Sequence, residues 1–219
     1  MSTENMTTIE NKATEGEPKK VDLVKELVMQ RAKDFKKEGL TMTQPGSLKY
    51  LLFGSEPSEQ SLSVKMGKVG EDMFKLMIKI NPNIKLIKCG VQNVGNKKKD
   101  IDLAWMDPIK KIIYIRECKG NMELDTEKLP ATFEKVKQDI VPFLETEYPD
   151  YKIDCGILNW SVYSRKIVKK TLNHIKSCED NGVKVDHVED FLKNIDFEWC
   201  EEGYYSYFRT IGEKINKMF

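Results

Sequence analysis

Asp100-Ile101-Asp102-Leu103-Ala104-Trp105-Met106-Asp107-Pro108-Ile109-Lys110-Lys111-Ile112-Ile113-Tyr114-Ile115-Arg116-Glu117-Cys118-Lys119-Gly120 decides the fold of this chain. Leu103-Ala104-Trp105 and Ile112-Ile113-Tyr114-Ile115 are apolar and β-prone, as core strands are. Asp107-Pro108 between them is turn chemistry: proline presets φ and aspartate bonds to nearby backbone N–H groups. The stretch therefore predicts an antiparallel hairpin, Ile101 to Met106 and Lys111 to Cys118. Side chains alternate along a strand, so Glu117 and Lys119 share one face and Cys118 takes the other. The hairpin brings Asp102, near the start of its first strand, close to Glu117 at the end of the second.

Outward from the hairpin, helical and extended patterns alternate. Val21, Val24, Leu27, Val28 and Ala32 recur at helical spacing up to a stop at Gly39, and predict a surface helix with one buried stripe. Ser47 to Phe53 reads as a short helix after the Pro45-Gly46 turn. Glu59 to Ile80 reads as a long one ended by Asn81-Pro82, with Glu71 in its middle. Ile84 to Lys88 alternates as a strand does, and Gly90 to Lys99 reads as a lysine-rich loop. A helix capped by Asp125 or Thr126 runs to Tyr148-Pro149, its start open to displacement by Pro130. A strand over Tyr151 to Leu158 follows, then a helix from about Arg165 to Cys178, a short strand at Val183 to Val185, a short helix over Asp186 to Asn194 and a terminal helix from Glu202. A strand reached through a helix points to a mixed sheet, so the expected class is α/β with a central mixed β-sheet flanked by helices. Residues 1–18 hold hardly any large apolar side chain and predict a disordered tail before a single domain over 19–219.

The 36 basic and 35 acidic residues leave a net charge of +1, so any polyanion surface must come from local clustering. No apolar run approaches the roughly 20 residues that span a bilayer and no apolar signal core is present, which predicts a soluble, intracellular, cytoplasmic protein without membrane contact. Cys89, Cys118, Cys155, Cys178 and Cys200 form no CxxC pair, which argues for reduced thiols over a disulfide framework or zinc cluster. His174 and His187 are not at a ligand spacing and read as structural or solvent-exposed.

Two carboxylates and a lysine converging on one sheet margin are what phosphodiester hydrolysis requires. A divalent metal held by carboxylate oxygens polarises the phosphate and acidifies a water, while a cation balances negative charge. Carboxylates without His or Cys favour Mg²⁺, with Mn²⁺ as a substitute, over Zn²⁺. An exposed salt bridge on a surface hairpin would satisfy the same short pattern. Glu71, after Gly70, supplies a further carboxylate if its helix packs beside the hairpin; otherwise it is an ordinary exposed helical residue.

Lys68-Val69-Gly70-Glu71, Asp100-Ile101-Asp102-Leu103 and Glu117-Cys118-Lys119-Gly120-Asn121, in that order, resemble the PD-(D/E)XK nuclease superfamily and, within it, the type II restriction endonucleases. The resemblance covers roughly residues 60–145. It implies a restriction-endonuclease-like core in which Asp102 and Glu117 bind metal with the backbone carbonyl of Cys118, Lys119 is the catalytic lysine, and Glu71 is the helix glutamate of many members. The family's nominal proline is replaced by Ile101. Asp100 is a rival for the metal acid; Asp102 is preferred because it directly precedes the apolar strand, and Asp100 can pair with Lys98 or Lys99.

The partner so implied is double-stranded DNA, cut at a specific sequence by a homodimer whose cognate DNA methyltransferase protects the same site. Phosphate contacts are expected from Lys97, Lys98, Lys99 and Lys166. Base or groove contacts are expected from Asn121, from Asn159, Ser161, Tyr163, Ser164 and Arg165 in one loop, and from Arg209. Trp160 and Tyr163 could stack on bases or pack the core. Two alternatives stay open: a structure-specific or repair nuclease of the same fold, and a DNA-binding protein with a decayed nuclease fold.

Overall fold

The computed structural model describes residues 19–120, 129–161 and 177–219. The expected tail over 1–18, the start of the helix after the hairpin and nearly all of the helix over 165–178 lie outside the described residues.

Three helices come first: α1 (Lys20–Glu38), α2 (Leu48–Phe53) and α3 (Glu59–Lys79). Gly39 ends α1 at φ +74°, where a side chain would be strained. The hydroxyls of Ser47 and Ser58 cap α2 and α3, accepting the N–H of Tyr50 and of Ser61. Five strands follow: β1 (Lys85–Leu86), β2 (Gly90–Val94), β3 (Lys97–Ile101), β4 (Leu103–Asp107) and β5 (Ile112–Lys119). A long helix after them has three parts: α4 (Leu129–Glu134), a π-helical segment (Lys135–Ile140) and α5 (Val141–Glu147). The chain then forms β6 (Lys152–Asn159), β7 (Lys184–His187), α6 (Val188–Asn194) and α7 (Glu201–Asn216). Among the described residues no helix is long and apolar enough to cross a membrane.

The central sheet has the order β1-β4-β5-β6-β7 and is mixed: β1, β4 and β5 pair antiparallel, whereas β5, β6 and β7 pair parallel. The hairpin closes from Leu103 opposite Arg116 to Asp107 opposite Ile112. At its tip Asp107 Oδ1 accepts the N–H of Ile109 at 3.1 Å and of Lys110 at 2.9 Å. Leu103, Trp105, Tyr114 and Leu158 face a core shared with Val24 and Val28 of α1, Met73 and Phe74 of α3, Phe191 of α6 and Ile211 of α7. Ala104, Ile113 and Ile115 face the opposite layer, against Ile140 and Leu144. Strand alternation places Glu117 and Lys119 on this second face, under the π-helical segment.

Several expectations change. Gly90 to Lys99 is not a loop: most of it lies in β2 and β3, a separate two-stranded ribbon turning at Gly95-Asn96, with Val94 opposite Lys97 and Gly95 at φ +57°. A Gly-Asn pair is a hairpin signal, here masked by three consecutive lysines, of which Lys98 faces solvent while Lys97 and Lys99 reach Asp139. The strand at Ile84 to Lys88 shrinks to two residues. The short helix starts at Val188, because Asp186 and His187 remain in β7. Buried Arg116 ties three strands together: Nε donates to Asp186 at 2.7 Å, Nη2 lies 3.0 Å from Asp154, and the guanidinium stands over Trp105 and Tyr114.

Candidate active site

Asp102 occupies the joint between β3 and β4, where the chain leaves the ribbon for the main sheet. The β4–β5 ladder stops at Leu103 opposite Arg116, and the Asp102 carboxylate takes the next backbone donor: Oδ2 accepts the N–H of Cys118 at 2.9 Å. The N–H and C=O of a strand residue lean to the same side, so the Cys118 carbonyl lies on this edge too. Cys118 itself turns toward the α1/α3 core, and burial pushes its thiol well above the ordinary range. The expected alternation about Cys118 is therefore seen.

A fourth charged residue joins the acids. Lys135, the first residue of the π-helical segment, places Nζ 2.6 Å from Glu117 Oε2 and 3.8 Å from Asp102 Oδ1. Lys119 Nζ lies 3.7 Å from Glu117 Oε1 on the other side. All four side chains are mostly buried. Desolvation, and then the charge of Glu117, push the Asp102 carboxyl up to about 7, although Lys135 and the Cys118 N–H pull it down. Burial alone would lower the Lys135 ammonium; Glu117 and Asp102 outweigh it and raise it. Fully ionised, the two acids carry two negative charges, which Lys135 and Lys119 offset from either side of Glu117.

Such a pair suits a hard divalent cation. The Lys135 ammonium, lying between two carboxylates, marks a place where positive charge is stabilised. Mg²⁺ is commonly held by one or two carboxylates and keeps several waters. Among the described residues no group of three or more His, Cys, Asp or Glu side chains stands close enough to form a metal cage. Two carboxylates alone would leave most of the shell of a hard divalent cation to water, an open position rather than a closed structural site.

Glu71 is near but not within the pair. Its helix approaches closely because residue 70 is glycine: a Cβ there would lie 2.9 Å from ring carbons of Trp160. The charge of Glu71 is felt at both Asp102 and Cys118. Its carboxylate is held by Lys68 at 3.0 Å and Lys75 at 3.2 Å, so the expected third acid does not complete the cluster. Asp100 is exposed and lines a cleft of about 560 Å³ with Glu71, Lys68 and Asp72. Lys99 pairs with Asp139 at 2.5 Å, not with Asp100.

The expected DNA contacts divide. Lys97, like Lys99, faces Asp139 of the π-helical segment, at 3.7 Å, while Lys98 is exposed on the ribbon opposite Asn93. Asn159 is corrected: it ends β6 beside Lys119 with no exposed surface, a sheet residue rather than part of a loop reaching a groove. Ser161 is exposed just beyond. Trp160 is core, edge-on to Phe74 at 6.2 Å. His187 is buried and caps α6, so the structural reading holds for it. Arg209 is exposed on α7, its guanidinium 5.9 Å from the Tyr205 ring. Asn121, Tyr163, Ser164, Arg165 and Lys166, with His174, lie outside the described residues.

Sequence reasoning missed Lys135. It flanks the apolar stripe Phe133, Val136 and Ile140 as an ordinary solvated lysine would, and its direction depends on a π-helical segment that no periodicity announces. Comparison with protein-family models, curated proteins and solved structures finds no significant match to this chain.

Proposed function

We propose that this chain is a divalent-metal-dependent endonuclease with a restriction-endonuclease-like core, hydrolysing phosphodiester bonds of double-stranded DNA. One observation carries the reading: Asp102, at the joint between β3 and β4, and Glu117, in β5, both lie within 4 Å of the Lys135 ammonium, with Lys119 3.7 Å from Glu117 on the same sheet face as Glu117. Asp102, Glu117 and the Cys118 carbonyl would hold Mg²⁺, with Mn²⁺ as a substitute. Bound there, the metal supplies Lewis acidity toward the phosphate and lowers the pKa of a water. Lys119 orients the nucleophile and balances charge on the scissile phosphate. Glu71 acts on the pair through its field and becomes a ligand only by leaving Lys68 and Lys75.

The β2–β3 ribbon, anchored beside the acids through Asp139, is a natural phosphate-binding arm, and a two-stranded ribbon fits the major groove. Within the class we favour a type II restriction endonuclease with a cognate methyltransferase, because the order of motifs from Lys68 to Asn121 resembles those enzymes. A two-fold dimer places one site on each strand. Its interface, in this reading, includes α2, where Leu48, Leu51, Leu52 and Phe53 are between 62% and 78% exposed. The single charge on that helix, Lys49, lies 3.8 Å from Glu56, leaving a neutral apolar surface that a second copy complements.

Digestion of plasmid and phage DNA with Mg²⁺ separates the possibilities. Discrete fragments are expected. A smear, or attack on branched DNA alone, would replace the restriction role with a structure-specific or repair nuclease. Binding without cleavage in either metal would leave a DNA-binding protein.

A further inference from the structure

We propose that Lys135 is a built-in counter-cation that fills the Asp102–Glu117 notch in the free protein and must withdraw before a divalent ion enters. The inference rests on the reading above that the two acids are metal ligands. Lys135 Nζ is 2.6 Å from Glu117 Oε2 and 3.8 Å from Asp102 Oδ1. A magnesium ion bound to the same oxygens would sit about 2.1 Å from each. An ammonium and a divalent ion cannot both occupy that space, and their like charges repel strongly where water is largely excluded.

The lysine is placed to do this and not merely to shield the surface. It begins the π-helical segment, a widened turn of the kind found at functional sites. Its side chain is only 21% exposed, so the ammonium is committed to the acids rather than to solvent. Lys119 approaches Glu117 from the opposite oxygen, Oε1, and need not move. The two lysines therefore divide the labour: Lys119 stays beside the bound ion, whereas Lys135 holds the acids together in its absence. Metal affinity is the difference between what the ion gains and what the displaced ammonium loses.

The direct test is Mn²⁺ titration of the full chain without DNA, following free Mn²⁺ by electron paramagnetic resonance. Lys135→Met keeps an apolar stem without the charge and should bind about tenfold tighter or more than the unaltered protein. Lys135→Arg keeps the charge and should stay within about threefold. Asp102→Asn should abolish the binding and so locates it. If Lys135→Met binds equally or more weakly while Asp102→Asn still abolishes binding, the counter-cation role is wrong and the metal site stands. If neither the unaltered protein nor Lys135→Met binds Mn²⁺, the metal reading itself falls, and this inference with it. Should Lys135→Met fail to fold, amine labelling of the unaltered protein decides: Mn²⁺ should raise labelling of Lys135 relative to exposed Lys111. Unchanged or reduced labelling overturns the proposal.

Discussion

Asp102 keeps its proton into the neutral range because folding buries it beside Glu117. The folded carboxyl titrates at about 7 against an ordinary 3.8, so between those pH values the folded chain holds a proton that the unfolded chain has shed. Stability from this residue is present at low pH, falls as pH rises and is fully lost above 7. At about 1.4 kcal/mol per pH unit the penalty is at most of order 4 kcal/mol. Asp102→Asn stays neutral and can still accept the Cys118 N–H. Without metal it should raise the Tm by at least about 4 °C at pH 8 and hardly at all at pH 4. An equal shift at both would contradict the burial argument. Asp102, Glu117 and Lys119 were legible in the sequence because strand alternation and a short turn fix their directions. Lys135 was not, because its aim is set by tertiary packing of a helix.

Helix α3 shows how close packing decides the sign of one substitution. Gly67 and Gly70 lie three residues apart in it, yet a Cβ at Gly67 meets nothing within 4 Å, whereas at Gly70 it meets the Trp160 ring at 2.9 Å. Trp160 cannot easily give way, being buried with Phe74 and Phe208 around it. Gly67→Ala should therefore stabilise the protein by about 0.5–1 kcal/mol in urea unfolding. Gly70→Ala should destabilise it by roughly 1–2 kcal/mol, overpacking exceeding the gain in helix propensity. Equal effects at both positions would mean that α3 does not approach the sheet as described. Most elements were readable from period and capping: α1, α3 and the hairpin fall within a few residues of their expected limits. The ribbon was hidden by Lys97-Lys98-Lys99, since its inner face carries Gln92, Lys97 and Lys99 between Val94 and Ile101 and so shows no apolar alternation to read.

At the scale of the molecule, the parallel half of the sheet depends on Arg116, which meets Asp154 of β6 and Asp186 of β7 from β5. Removing one partner of a buried ionic network strands the others. Arg116→Leu should cost about 3–5 kcal/mol in unfolding free energy, and a loss under about 1 kcal/mol would show the network to be dispensable. The mixed sheet was legible, because a helix between strands implies a parallel crossover; the strand order and this buried triad were not, because neither leaves a local pattern. If α2 is the surface shared by two copies, Leu51→Asp should turn a dimer into a monomer in light scattering. A dimer that persists unchanged would place the interface elsewhere.

Single-turnover cleavage of duplex DNA in Mg²⁺, with binding measured in parallel, tests the central claim most directly. The account predicts cleavage by the unaltered chain that stops on chelation, and loss of cleavage in Lys119→Ala while DNA binding stays within a few-fold. Cleavage by Lys119→Ala at the normal rate, or no cleavage by the unaltered chain in either Mg²⁺ or Mn²⁺, would contradict it.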